Sequence, residues 1–123
     1  MTDSKLIDSS VWIAYLCDGT YKEMIEGEEE IVLLSVLSLY EIEKKLRKEK
    51  IENHKISRSM DFIKKKSLLI PVTKEIAEKA VSLALQHNIP AIDSLIYASA
   101  LLNNATLITF DNDFRGLMQV MIL

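Results

Sequence analysis

At 123 residues the chain has the length of one domain. Its apolar share of 49%, with three Gly and two Pro, belongs to a globular rather than a disordered sequence. A net charge of −3 argues against a general nucleic-acid coat protein. The single cysteine, Cys17, excludes an internal disulfide and points to a reducing, cytoplasmic compartment.

The opening ten residues, MTDSKLIDSS, carry Asp3 and no basic-then-apolar run, so no secretion segment is expected. Residues 5–8 (KLID) read as a short strand ending at Asp8. Residues 9–16 follow as a mostly buried helix, with Asp8 or Ser9 suited to its N-cap. A turn at Asp18-Gly19-Thr20 leads into a short helix closed by Gly27. Residues 30–35 (EIVLLS) form a strand-length apolar run. Residues 38–50 read as a helix in which Ser38 is the cap and Glu41, three positions on, completes a capping box. A second polar helix covers about 53–66, through Ile56, Met60 and Ile63.

Residues 67–72 are a strand stopped by Pro71, and 73–88 an amphipathic helix capped by Thr73. Residues 93–104 are apolar nearly all round, which predicts a helix buried between other elements. Residues 105–110 form a strand, and 119–123 a last one. The stretch 94–110 lacks charge for 17 residues, but a membrane span needs about 20 and this one is interrupted by Asn103-Asn104. A helix followed by a strand explains it, with no membrane involved. Helices alternate with continuously apolar strands, which predicts an α/β class: a three-layer α/β/α sandwich with a mainly parallel sheet, as one domain over 1–123.

Charge is unevenly distributed. Residues 44–66 hold ten of the fifteen Lys and Arg against Glu49, Glu52 and Asp61, a local +7 that leaves −10 for the remainder. A solvated, salt-bridged helical face and a phosphate-binding surface both account for this.

The acids fall at one end of the expected sheet. Asp8 and Asp111 terminate strands, Asp111 being expected in register with Asp8; Glu41 lies near the start of the helix after strand 30–35, and Asp93 opens the buried helix. In open parallel sheets ligands bind beyond the carboxyl ends of the strands. Taken singly, Asp8 and Asp93 suit N-caps, Glu41 suits a pair with Lys45, and Asp111 suits a turn. Taken together, four crowded carboxylates repel one another and call for a hard divalent cation, Mg²⁺ or Mn²⁺. Asp113 either reaches that cation or caps the turn before Phe114. Cys17, His54 and His87 have no zinc spacing. DNDFRG starts like a calcium loop but has Arg115 at position 5 and Ile122 at position 12, and no glycine-rich phosphate loop occurs.

Three blocks, LIDSSVWIAYL, LLSVLSLYEIEKKL and the long run IPAIDSLIYASALLNNATLITFDNDF with its T-x-D and D-F, together resemble the PIN-domain ribonucleases, in particular the small VapC-type toxins of VapBC toxin–antitoxin pairs. The resemblance implies a Mg²⁺- or Mn²⁺-dependent endoribonuclease with Asp8, Glu41, Asp93 and Asp111 in the acidic site. Asp113 matches an additional acid, and Ser9 and Thr109 match small hydroxyl positions beside it. It also implies an RNA substrate, a cognate antitoxin, a homodimer, and a helical clip at about 38–66 for protein contacts. The apolar residues along 38–63 are compatible with such a dimer.

The expected chemistry is metal-assisted hydrolysis, with a water activated by the cation attacking phosphorus in line; the resemblance implies products with 5′-phosphate and 3′-hydroxyl ends. Alternatives are a catalytically weak or inactive PIN-like module that binds RNA or protein, and a metal-free ribonuclease built on His54 and His87.

Overall fold

The computed structural model describes residues 4–27 and 32–123. Five strands, β1 (Lys5–Ile7), β2 (Val32–Ser35), β3 (Leu68–Ile70), β4 (Thr106–Thr109) and β5 (Val120–Ile122), form one sheet in the order β3-β2-β1-β4-β5. Every pairing is parallel. The helices are α1 (Ser9–Asp18), α2 (Lys22–Glu26), α3 (Val36–Lys48), α4 (Asn53–Lys66), α5 (Lys74–His87) and α6 (Ala91–Leu102). The first two positions of the expected strand 30–35 lie outside the described residues.

The strands are apolar throughout because both faces are covered. Successive residues point to opposite sides of a pleated strand. Leu6, Leu33 and Leu107 therefore enter one core with Ile76, Ala80 and Leu83 of α5 and Ile96, Tyr97 and Ala100 of α6. Their neighbours Ile7, Leu34 and Ile108 enter a second core with Val11 and Trp12 of α1, Ile42 and Leu46 of α3, and Ile56, Met60 and Ile63 of α4. This is the α/β/α sandwich. The uncharged run 94–110 is divided between α6 and β4, and no described helix is long and apolar enough to cross a membrane.

Three local expectations are corrected. Helix α3 begins at Val36, not near residue 38, and its cap is Ser35, whose hydroxyl accepts from the Leu37 amide at 3.1 Å. Ser38 is buried inside the helix, so Ser38 and Glu41 form no capping box. Helix α6 begins at Ala91 after Pro90, which leaves Asp93 in its first turn rather than at its cap. The fixed φ of proline suits the start of a helix, so Pro90 overrides the Asp signal. Along 38–63, Ile42, Leu46, Ile56, Met60 and Ile63 are buried within the chain's own core, whereas Tyr40, Ile51 and Phe62 are exposed.

The cores predict a contrast. Ile108→Ala, at 0% exposure on β4, is expected to cost about 2–5 kcal/mol in chemical denaturation. Met118→Ala, in the turn before β5 at 72% exposure, is expected to stay within about 0.5 kcal/mol of wild type.

Candidate active site

The chain builds β1, β2 and β3 to one side and then crosses back to place β4 against the other edge of β1. The strand order thus reverses between β1 and β4, and such a switch point opens a crevice at the carboxyl ends of the strands. Asp8 leaves β1 at this crevice and Asp111 leaves β4.

Asp8 is 7% exposed and caps α1. Its Oδ1 accepts from the Ser9 amide at 2.8 Å, and its Oδ2 accepts from the Ser10 hydroxyl at 3.1 Å and the Thr109 hydroxyl at 2.7 Å. Ile7 pairs with Ile108, so Asp8 lies level with Thr109 and not with Asp111, as its amide bond to the Ile108 carbonyl (2.9 Å) also requires. β4 ends at Thr109, one residue short of the expected limit, and Asp111 is the cap of a 3-10 turn over Asn112–Phe114. The Asp111 amide donates back to the Thr109 hydroxyl at 2.9 Å, and Asp111 Oδ1 accepts from the Asp113 amide at 2.9 Å.

Thr109 therefore ties the two acid-bearing loops together through one buried oxygen. Ser10 repeats the device, because its hydroxyl donates to Asp8 and accepts from the Phe110 amide at 3.2 Å. Sequence reasoning named Ser9 and Thr109 but not Ser10. A serine two positions after an N-cap aspartate, in the first helical turn, can fold back on that carboxylate, and this spacing was the available signal. Ser9 has a different task, donating to Glu41 Oε1 at 3.1 Å and so linking α1 to α3.

One carboxylate oxygen from each of Asp93, Asp111 and Asp113 lies within 4.8 Å of the other two. Asp8 and Glu41 stand beside this triad, close enough for their charges to act on Asp93. Asp113 thus enters the tightest grouping, whereas Asp8 and Glu41 are held by hydroxyl groups at its edge. Burial first, then the charges of Asp111, Asp8, Asp113 and Glu41, push the Asp93 carboxyl up to about 7. Burial also raises Glu41, aided by Asp8 and opposed by the Ser9 hydroxyl and by Lys44. The positive end of α6 offsets part of this repulsion. The donor set, oxygen only and acidic, suits a hard divalent cation, and Asp93, Asp111 and Asp113 are placed to share one.

Two consequences can be measured. Between pH about 4 and 7 the folded chain retains a proton on Asp93 that the unfolded chain releases, so stability falls as pH rises through this window. In EDTA the Tm is expected to drop by a few degrees from pH 5 to 7.5, the slope to shrink in Asp93→Asn, and Mn²⁺ to raise Tm more at pH 7.5 than at pH 5. Thr109→Val keeps the volume but removes the shared oxygen. It is expected to cost about 1–3 kcal/mol and to weaken Mn²⁺ binding about 10–100-fold by calorimetry.

Comparison with known proteins agrees with this architecture. A toxin–antitoxin complex from Klebsiella pneumoniae contains a chain that superposes with a TM-score of 0.80 at 25% identity, over 96% of each chain. DNA-bound VapBC from Salmonella typhimurium gives 0.82 at 12% identity, over 99% of this chain and 98% of that one. VapC20 of Mycobacterium tuberculosis, a toxin that cleaves the sarcin–ricin loop, gives 0.73 at 18% identity, over 95% and 98%. No curated protein sequence matches significantly. The PIN domain model matches residues 5–117, nearly the whole chain. The five-stranded parallel sheet, its acid-lined switch point and this match together make the chain a member of the PIN domain family.

Proposed function

We propose that the protein is a divalent-metal-dependent endoribonuclease and the toxin of a toxin–antitoxin pair. The observation that carries the reading is the convergence of Asp93, Asp111 and Asp113 within 4.8 Å, with Asp8 and Glu41 beside them, at the switch point of a PIN-domain sheet. Asp93, Asp111 and Asp113 would hold Mg²⁺ or Mn²⁺ directly, with Asp8 and Glu41 completing the site directly or through water. The cation, when bound, supplies charge that activates water and offsets the charge on the transferring phosphoryl group. Thr109 and Ser10 hold Asp8 in place, and Ser9 holds Glu41. These hydroxyl groups keep the carboxylates oriented before substrate arrives.

The VapBC neighbours support a cognate antitoxin as partner; the helices α3 and α4 would serve as its contact region. Val81 and Leu85, 60% and 81% exposed on α5, offer a second copy an apolar face for a homodimer. The lone, exposed Cys17 suits the cytoplasm. Against a metal-free mechanism, His54 is paired with Glu52 at 3.2 Å and His87 packs edge-on to Tyr97, so both are engaged away from one another.

Cleavage of a panel of structured RNAs tests the reading. Mg²⁺ or Mn²⁺ is expected to support cleavage that leaves 5′-phosphate ends, chelator to abolish it, and Asp8→Asn or Asp93→Asn to slow it at least about 100-fold. Equal cleavage by wild type and both variants would sink the site. Chelator-resistant cleavage with 2′,3′-cyclic ends would instead favour histidine chemistry. No cleavage, with biological activity unchanged in Asp93→Asn, would leave a binding module.

A further inference from the structure

The basic segment 44–66 does not form one surface. Its α4 members Lys55 and Arg58 line a groove with Tyr15 and Phe62, Arg47 of α3 and Lys64 of α4 share another, and Lys44, Lys45 and Lys48 of α3 line a separate groove that includes Glu41. This last groove, about 380 Å³, is lined by Tyr40, Glu41, Lys44, Lys45, Lys48 and Ile92. Glu41 belongs both to the groove and to the acidic site, and Ile92 directly precedes Asp93. The groove therefore meets the acidic site at Glu41.

Its side chains have distinct commitments. Lys45 is paired with Glu49 at 2.9 Å. The Lys44 ammonium instead lies 5.7 Å from the centre of the Tyr40 ring and acts electrostatically on Glu41. Tyr40 is 63% exposed, and Ile92 is 42% exposed. An exposed aromatic face beside ammonium groups is what a single-stranded nucleic acid uses, a base stacking on the ring and a phosphate meeting the charge. At 1.5 Å per residue, Lys48 lies about 10 Å along α3 from Glu41, the span of about three stacked nucleotides.

We infer that Tyr40, Lys44 and Lys48 form a subsite for a single-stranded RNA segment flanking the bond that is cut. Tyr40 is the stacking platform, Lys44 and Lys48 hold the backbone, and all three are positioning residues. The inference rests on the ribonuclease reading for the identity of the polyanion. It differs from that reading in needing no turnover to be tested.

The test is fluorescence anisotropy of a labelled single-stranded RNA of about 12 nucleotides, binding the full chain in EDTA, where metal-dependent cleavage cannot occur. Lys44→Glu/Lys48→Glu is expected to weaken binding at least about tenfold and to reduce its salt dependence. Tyr40→Ala is expected to weaken it about fivefold or more, with Tyr40→Phe restoring it because stacking needs only the ring. Lys55→Glu/Arg58→Glu carries the same charge change in the groove with Tyr15 and Phe62 and is expected to remain within about twofold of wild type. Circular dichroism checks that each variant is folded.

Absence of RNA binding by the wild type would overturn the inference. So would unchanged binding in the α3 variants, or equal loss in the α4 control. A changed sedimentation coefficient with RNA affinity intact would also overturn it and assign the groove to contact between copies of the chain. If the wild type proves not to cleave RNA, these binding outcomes still decide the subsite. If it does cleave, the α3 variants are expected to raise KM with little change in kcat.

Discussion

The Thr109 hydroxyl lies 2.7 Å from Asp8 Oδ2 and accepts the Asp111 amide at 2.9 Å, although 101 residues separate Thr109 from Asp8. That contact exists because β4 pairs with β1 in parallel register, Ile7 against Ile108. The acidic crevice depends on this pairing. It brings together loops from opposite ends of the chain and points both out of the same edge of the sheet. Helix α6 then supplies Asp93 from its first turn, and α3 supplies Glu41.

Such a site works against the stability of the fold that contains it. Four carboxylates act electrostatically on Asp93, and its raised pKa is the response of a partly buried acid first to burial and then to those neighbours. Hydroxyl donors from Ser9, Ser10 and Thr109 orient carboxylates without adding positive charge, so the repulsion persists. On the proposed reading a divalent cation would relieve it, and a substrate phosphate would then meet a neutralised surface. The lysines of α3 carry positive charge beside the acids, Lys44 acting on Glu41 with its ammonium over the Tyr40 ring.

The two sheet faces carry different loads. One is covered by α5 and α6, which pack tightly on each other and bury Ile96, Tyr97 and Ala100. The other is covered by α1, α3 and α4, whose outer surfaces carry most of the chain's positive charge. The first face places Asp93, in the first turn of α6, which packs on β4; the second presents Glu41 and the basic grooves.

The sequence by itself determined the class of fold, because continuous apolar strands between amphipathic helices have few ways to bury both faces other than a covered parallel sheet. It also put Asp8, Glu41, Asp93 and Asp111 at strand ends or helix starts, since those signals are local. Three things needed the tertiary structure. Ser35, rather than Ser38, begins α3, because both serines offered a cap and the burial of Ser38 chose between them. Asp8 is level with Thr109 instead of Asp111, because register is a property of two strands and neither encodes it alone. The basic segment divides among separate grooves, with Lys44 and Lys48 in one, Lys55 and Arg58 in another and Arg47 with Lys64 in a third, because only packing on the sheet, which buries Ile42, Leu46, Ile56 and Ile63, assigns the solvent faces of α3 and α4.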